Sequence, residues 1–252
     1  MVKIIMHGCN GKMGQVITGL ADRDGDVEIV AGVDPMDSGM NTYPVFPSID
    51  LCDVDADVII DFASAKAVDA LLDYSVRRQI PVVLCTTGLS EEQLAHVKRA
   101  SASVAVLKSA NMSLGINVIS KLLKEAARTL ADAGFDIEIV EKHHNQKIDA
   151  PSGTAIMIAN AINETLNNEY HYVYDRHARR MKRDDKEIGM HSIRGGTIVG
   201  EHDVIFAGKD EVITLSHSAA SKTVFAVGAV NAAVYLCGKP AGLYDMKQLV
   251  QE

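Results

Sequence analysis

Apolar residues recur along this chain in two rhythms, and the change between them falls near residue 114. In the first part, short unbroken apolar runs alternate with helical patterns. The runs are Val2–Met6, Val27–Val33, 57–62, Pro81–Leu84 and Val104–Leu107. Between them, Lys12–Ala21, Ala65–Arg77 and Glu91–Ala100 repeat apolar positions at helical spacing. Continuous β-branched runs separated by helices predict a parallel sheet covered on both faces, a Rossmann-like, doubly wound α/β domain. After Ser113 the pattern becomes a long helix, Leu114–Leu130, and then a strand, Phe135–Glu141, that alternates apolar and acidic residues. A further helix is expected over Thr154–Leu166. Strand-like pieces follow at Ile188–Ile193, Thr197–Val199, Asp203–Phe206 and Glu211–Ser216, punctuated by glycines. This part reads as an α+β domain with an open, mixed sheet. Such a sheet needs a cover, and a partner subunit is one candidate. The last helix, about Ser221–Cys237, is expected to return to the first domain. The boundaries are therefore 1–113 with about 220–252, and about 114–219.

The chain has 252 residues, of which 47% are hydrophobic, enough for a full core in one large or two modest domains. A net charge of -8 argues against a general nucleic-acid binder, which needs a basic footprint. The basic run Arg176, Arg179, Arg180, Lys182, Arg183 is a local exception. It reads first as a solvated, mobile face and second as an anion-facing loop. Cys9, Cys52, Cys85 and Cys237 form no Cys-x-x-Cys pair and suggest reduced thiols in a cytoplasmic protein. The longest apolar stretch, Phe225 to Cys237, is interrupted by Asn231 and too short to span a bilayer. No membrane association is expected.

Two regions carry candidate chemistry. His7-Gly8-Cys9-Asn10-Gly11-Lys12-Met13-Gly14 follows the first strand and opens the first helix. Its G-x-x-G-x-x-G spacing suits a tight turn, close approach of backbone to a pyrophosphate, and helix N–H groups facing the anion. Asp34 ends the second strand about 20 residues further on, where an acid meets the adenosine ribose hydroxyls. Asp34 repels a 2′-phosphate, Asp37 adds negative charge and no Arg follows, so NADH is favoured. Lys12 keeps NADPH compatible. Two later strand ends reach the same crevice: Cys85-Thr86-Thr87-Gly88 and Ser109-Ala110-Asn111-Met112.

The second region is Glu141 to Ala155. His143, His144 and Lys147 bring three proton-carrying groups within five positions, and a Pro-Ser-Gly-Thr run follows. Adjacent histidines cannot share one face of a strand, and that run is costly inside a helix. A site explains the segment better than packing does. A metal reading finds little support. His143, His144, His191 and His202 include no i, i+4 pair on a helix, and no Cys or carboxylate completes a set. His191, Arg194 and His202 are expected to serve structure, inter-strand hydrogen bonds or subunit contacts.

Several segments together resemble 4-hydroxy-tetrahydrodipicolinate reductase of bacterial lysine biosynthesis, long called dihydrodipicolinate reductase. They are Gly8-x-x-Gly11-x-Met13-Gly14, the His-His-x-x-Lys-x-Asp-Ala-Pro-Ser-Gly-Thr segment, Ile188 to Gly196, and Gly200 to Phe206. The Thr86-Thr87-Gly88 and Asn111-to-Gly115 turns also fit, and the resemblance covers essentially the full length. The His-His segment is highly specific; the glycine loop alone is not. Met112 stands where the family often has Phe, which bears on cofactor preference.

The resemblance implies hydride transfer from NADH or NADPH to a cyclic, unsaturated dicarboxylate. By that resemblance His143 is the general acid/base, and Lys147 is a second proton donor that holds a carboxylate. His144 contacts the substrate, and Gly153 and Thr154 offer backbone N–H groups to the other carboxylate. Gly8, Cys9, Asn10, Gly11, Lys12, Met13, Asp34, Cys85, Thr86, Thr87, Ser109, Ala110, Asn111 and Met112 are expected around the cofactor. It also implies two domains joined by short hinges, closure over the substrate, and a homotetramer built on the second domain's sheet. From the residues alone two alternatives stay open: another nicotinamide-dependent dehydrogenase of a small carboxylated substrate, and a non-catalytic dinucleotide-sensing module.

Overall fold

The computed structural model describes residues 1–37, 39–109, 111–177 and 180–251. Ala110 and Arg179 lie outside the described residues. The chain divides into two compact units, residues 1–114 with 223–252, and residues 115–222.

The first unit begins β1 (Val2–His7), α1 (Lys12–Ala21), β2 (Val27–Val33), β3 (Val45–Phe46), β4 (Val58–Asp61), α2 (Val68–Arg78), β5 (Val82–Leu84), α3 (Glu91–Ala100) and β6 (Ala105–Lys108). The second unit holds α4 (Leu114–Asp132), β7 (Asp136–His143), α5 (Gly153–Thr165), β8 (His171–Val173), β9 (Glu187–Arg194), β10 (Gly200–Ala207) and β11 (Val212–Ala219). The chain then returns to the first unit with α6 (Thr223–Leu236), β12 (Gly242–Tyr244) and α7 (Met246–Gln251).

The first sheet is seven-stranded and parallel, in the order β12-β6-β5-β4-β1-β2-β3. Alternate residues of each central strand enter opposite cores. Ile4, Met6, Ile60 and Val83 pack with α1 and α6 residues such as Ile17, Ala229 and Leu236. Ile5, Ile59, Val82 and Leu84 pack with Leu71, Leu72 and Val97 on the other side. Burial on both faces is why these strands read as unbroken apolar runs. The edge strands β3 and β12 are too short to show such a run, and sequence patterning misses them.

The second sheet is five-stranded and mixed, in the order β11-β10-β7-β9-β8. β7 pairs in parallel with β9 and antiparallel with β10. One face packs on α4 and α5 through Leu123, Ala127, Ile158 and Ile162. The expected strand at Thr197–Val199 does not form. Gly196 has a φ of +50, and 195–199 make the turn that leads into β10. In the basic run Arg180 and Lys182 are exposed as expected, but two arginines depart from expectation. Arg176 and Arg183 reach Glu138 and Glu187, and Arg183 also reaches Asp136 at 2.9 Å. These two arginines close the carboxylate-bearing surface of β7 and β9 rather than standing in solvent.

Candidate active site

The covered face of the second sheet is built in rows. Register pairs Ile137 with Ile188 and Phe206, then Ile139 with Met190 and Val204. The next row is Glu141 with Ser192 and His202, and the last pairs His143 with Arg194. Side chains on one face of a strand repeat every second residue, so Ile137, Ile139, Glu141 and His143 all point to the same side. Two rows are core and two are polar, yet Glu141 and His143 are as covered as a core residue, at 0% and 9% exposed.

Glu141 is saturated with donors. Arg194 grips it with two parallel bonds, Nη2 to Oε1 at 2.7 Å and Nη1 to Oε2 at 2.8 Å. The Ser152 N–H donates to Oε1 at 3.0 Å, and His143 Nδ1 lies 2.6 Å from Oε2. Burial by itself raises the Glu141 pKa, but hydrogen bonds from Arg194, Ser192, His143 and Ser152 outweigh it and hold the carboxyl at about 2. It is therefore ionised at any working pH. Its Arg194 partner also donates to the Asp149 carbonyl at 2.7 Å, tying β9 to the loop before α5.

Ser152 caps α5, its Oγ accepting from the Ala155 N–H at 3.1 Å. The same Oγ lies 3.0 Å from His202 Nε2. His202 stands edge-on to His143, ring centroids 5.3 Å apart. Burial, then the neighbouring His143, lowers the His202 pKa to about 4, so this ring is neutral. Along the following loop, Lys147 Nζ reaches Asp149 at 2.8 Å. Asp149 is held below the usual carboxylate range, chiefly by Lys147, with a smaller contribution from the Gly153 N–H. Thus Lys147 and the start of α5 converge on one carboxylate. His144 follows β7 on the opposite alternation and is partly exposed; Thr154 lies in the first turn of α5.

The sequence-predicted residues His143, Lys147, Gly153 and Thr154 thus fall within the short span between the end of β7 and the first turn of α5. Glu141, Ser152, Arg194 and His202 belong to the same network, although sequence reasoning gave the last two only structural work. One signal was present: Glu141 is an acid on the apolar phase of a strand, which nothing but a buried partner makes tolerable.

In the first unit the glycine loop is shaped by close backbone approach. Gly8 has a φ of +84, and a Cβ there would stand 2.8 Å from the Phe62 carbonyl oxygen. A Cβ on Gly14 would stand 2.3 Å from the Gly8 oxygen, so this position in the first turn of α1 has room only for hydrogen. The Asn10 N–H donates to Asp34 at 3.2 Å, linking the loop to the end of β2. A cleft of about 410 Å³ lies along Gly8, Gly11, Asp34, Phe62 and Ala63. Lys12 is exposed and Met13 is half-buried at the start of α1.

The later turns supply different surfaces. Thr87 is exposed, and Thr86 donates to Asp61 at 2.6 Å. Asp61 also lies 2.7 Å from His7 Nδ1. These two residues, unremarked in the sequence, bind the carboxyl ends of β1, β4 and β5 together. Ser109 Oγ donates to the Asn111 carbonyl at 3.0 Å, and Asn111 Oδ1 accepts from the Ser113 N–H at 2.8 Å. Cys9, Cys85 and Met112 are buried in the core, so these positions offer a ligand backbone rather than side chain. Among the described residues no cluster of metal-binding side chains occurs, and no helix is long and apolar enough to cross a membrane.

Known proteins match both units. The family described as "Dihydrodipicolinate reductase, N-terminus" matches residues 2–112, and "Dihydrodipicolinate reductase, C-terminus" matches residues 115–250. A 4-hydroxy-tetrahydrodipicolinate reductase from Caldanaerobacter subterraneus subsp. tengcongensis is 54% identical over 100% of this chain and 99% of its own length. One from Clostridium tetani is 48% identical over 98% of this chain and 96% of its own. A solved structure of a dipicolinate-bound dihydrodipicolinate reductase from Paenisporosarcina sp. TG-14 superposes with a TM-score of 0.78, at 25% identity over 97% of each chain. A probable dehydrogenase from Thermotoga maritima shares the fold at 12% identity, with a TM-score of 0.63 over 99% of this chain and 93% of its own. With both halves of the family matched in order along the whole length, this chain belongs to the dihydrodipicolinate reductase family.

Proposed function

We propose that this protein reduces 4-hydroxy-tetrahydrodipicolinate to tetrahydrodipicolinate with a nicotinamide cofactor, in the cytoplasmic route through diaminopimelate to lysine. The observation that carries this reading is the buried ionised Glu141 bonded to His143 in a chain of this family. It sits one turn of chain from a lysine and a helix N-terminus that already hold a carboxylate.

The cofactor reading is supported by the glycine loop, where Gly8 and Gly14 leave room for nothing beyond hydrogen, and by the adjoining cleft that reaches Asp34. Gly8 to Met13 would cradle the pyrophosphate. Asp34 would accept from the adenosine ribose hydroxyls, which favours NADH; exposed Lys12 leaves room for NADPH. Thr86, Thr87 and the 109–112 turn would line the nicotinamide end, with Ala110 assigned by sequence position alone. A reduced nicotinamide, when bound, supplies a hydride, two electrons with one hydrogen.

Hydride addition to a conjugated imine leaves a pair of electrons on the adjacent part of the substrate, and a proton must reach it. His143 donates that proton, and Lys147 is the second donor. Lys147 also holds one substrate carboxylate. The Gly153 and Thr154 N–H groups take the other at the positive end of α5, and His144 contacts the substrate. The open face of the second sheet serves a homotetramer. The balance is the 4-hydroxyl lost as one water, which leaves the conjugated imine, one hydride and one proton gained, and one oxidised nicotinamide released.

The test generates the substrate in situ from pyruvate and aspartate semialdehyde with the aldol-forming enzyme, then adds this protein with NADH or NADPH. Loss of reduced-cofactor absorbance is expected. No loss with either cofactor leaves the sensing module; turnover only with other small carboxylated substrates leaves a different dehydrogenase.

A further inference from the structure

We propose that Glu141, clamped by Arg194, is the positioning residue that fixes the hydrogen of His143 on Nδ1 and presents Nε2 as the proton-transferring atom. This deepens the reductase reading and rests on it.

Glu141 has no freedom to do otherwise. Each oxygen already accepts from Arg194, and Oε1 also takes the Ser152 N–H. An ionised carboxylate only accepts, so the 2.6 Å bond to His143 places a hydrogen on Nδ1. The imidazole cannot turn over to offer its other nitrogen without losing that bond. It is 9% exposed and held edge-on by His202. Nε2 points along Gly200: a Cβ there would be 3.1 Å away. The missing side chain leaves the approach to Nε2 uncrowded.

The charges around His143 come from several elements. Glu141 shares its strand, and Arg194 comes from β9. Neutral His202 comes from β10, with His217 of β11 beyond it. Lys147 acts on the same cluster from the loop, beside Asp149. Arg194 cancels most of the charge of Glu141 at a distance. At Nδ1, however, the short bond to the carboxylate fixes the orientation of the ring.

Two measurements test this. The first reads the wild-type ring directly: a two-bond 1H–15N spectrum of protein labelled with 15N-histidine, taken where the rings are neutral, with His143→Gln used to assign the signals. The expected result is a single Nδ1–H tautomer for residue 143. An Nε2–H tautomer, or an exchanging mixture, overturns the proposal. The second is the pH profile of kcat/KM for Glu141→Gln. Without the carboxylate the ring loses its anchor at Nδ1, so the basic limb should move and kcat should fall at least about tenfold. Cofactor affinity should hold. A purely structural role would lower Tm and leave the limb in place, and that outcome overturns the proposal. If Glu141→Gln does not fold, Arg194→Lys replaces it, keeping the charge but losing the two-pronged grip. A basic limb unchanged in that variant overturns the clamp. Turnover by His143→Gln at the wild-type rate removes His143 as the proton donor, whereas no turnover by the wild-type protein sinks the reductase reading itself. An inactive His143→Gln beside a wild-type limb in Glu141→Gln sinks only the positioning role.

Discussion

The glycine loop of the first unit works by what it lacks, and the end of β7 in the second unit works by what it carries. At Gly8 and Gly14 backbone lies within 2.3–2.8 Å of where a Cβ would be, so the loop is specified by local glycines. Glu141 and His143 need Ser152 from a loop, Arg194 from β9 and His202 from β10. Their partners lie far away in sequence. One site is thus fragile to added atoms, and the other to removed ones.

The sharpest way to break this contrast is to alter one member on each side. His143→Gln should lower kcat by about two to four orders of magnitude while cofactor titration by fluorescence stays near wild type. Gly14→Ala should do the reverse. It forces α1 away from the Gly8 carbonyl, and reduced-cofactor affinity should fall at least about tenfold. Equal losses in both properties from both changes would mean the two regions are not separable.

Acid should distinguish them next, because the second region holds a buried carboxylate and a buried histidine whose pKa values are both strongly lowered. The Glu141 pKa is lowered to about 2 from an ordinary 4.5, so its stabilisation is complete above about 4.5 and lost as pH falls towards 2. His202 is lowered to about 4 from 6.5; the unfolded chain therefore takes up the proton first, and stability declines as pH falls from 6.5 to 4. Each effect is on the order of 3 kcal/mol, from about 1.4 kcal/mol per pKa unit. Urea unfolding at a series of pH values, followed by amide exchange within β7 and β10, should show the decline there. Glu141→Gln should flatten its lower part, and a profile identical to wild type would contradict the assignment.

Smaller effects refine each side. Asp34→Ala should relax discrimination against NADPH by about tenfold, the cost of one like-charge contact near a phosphate. An unchanged NADH:NADPH ratio would remove Asp34 from the ribose. Asp149→Asn should lower the KM for the dicarboxylate about two- to threefold, because Asp149 competes for Lys147 and the α5 start from an exposed, screened position. A rise in KM would instead give Asp149 the task of holding Lys147 ready.

Much of this was legible in the residues. Ile4, Ile5 and Met6 read as a buried parallel strand because both faces of β1 are covered. The alternation of β7 was also plain, since one face of that sheet is open. Thr197–Val199 misled because three consecutive β-branched side chains mimic a strand, whereas the positive φ of Gly196 commits them to a turn. Arg176 and Arg183 misled because a basic run looks solvated until Glu138 and Glu187 are seen beneath it.

By itself the sequence determined the two-part organisation, the glycine loop followed by Asp34, and the segment that sets His143, His144 and Lys147 together, because each is written in short-range spacing. Only the tertiary structure decided that Glu141 lies under Arg194 and Ser152, that His202 is a neutral neighbour of His143, and that Asp61 ties three strand ends. Those are pairings across 11 to 59 positions of chain. Strand register sets them, and register depends on the whole buried face of the sheet rather than on any local motif.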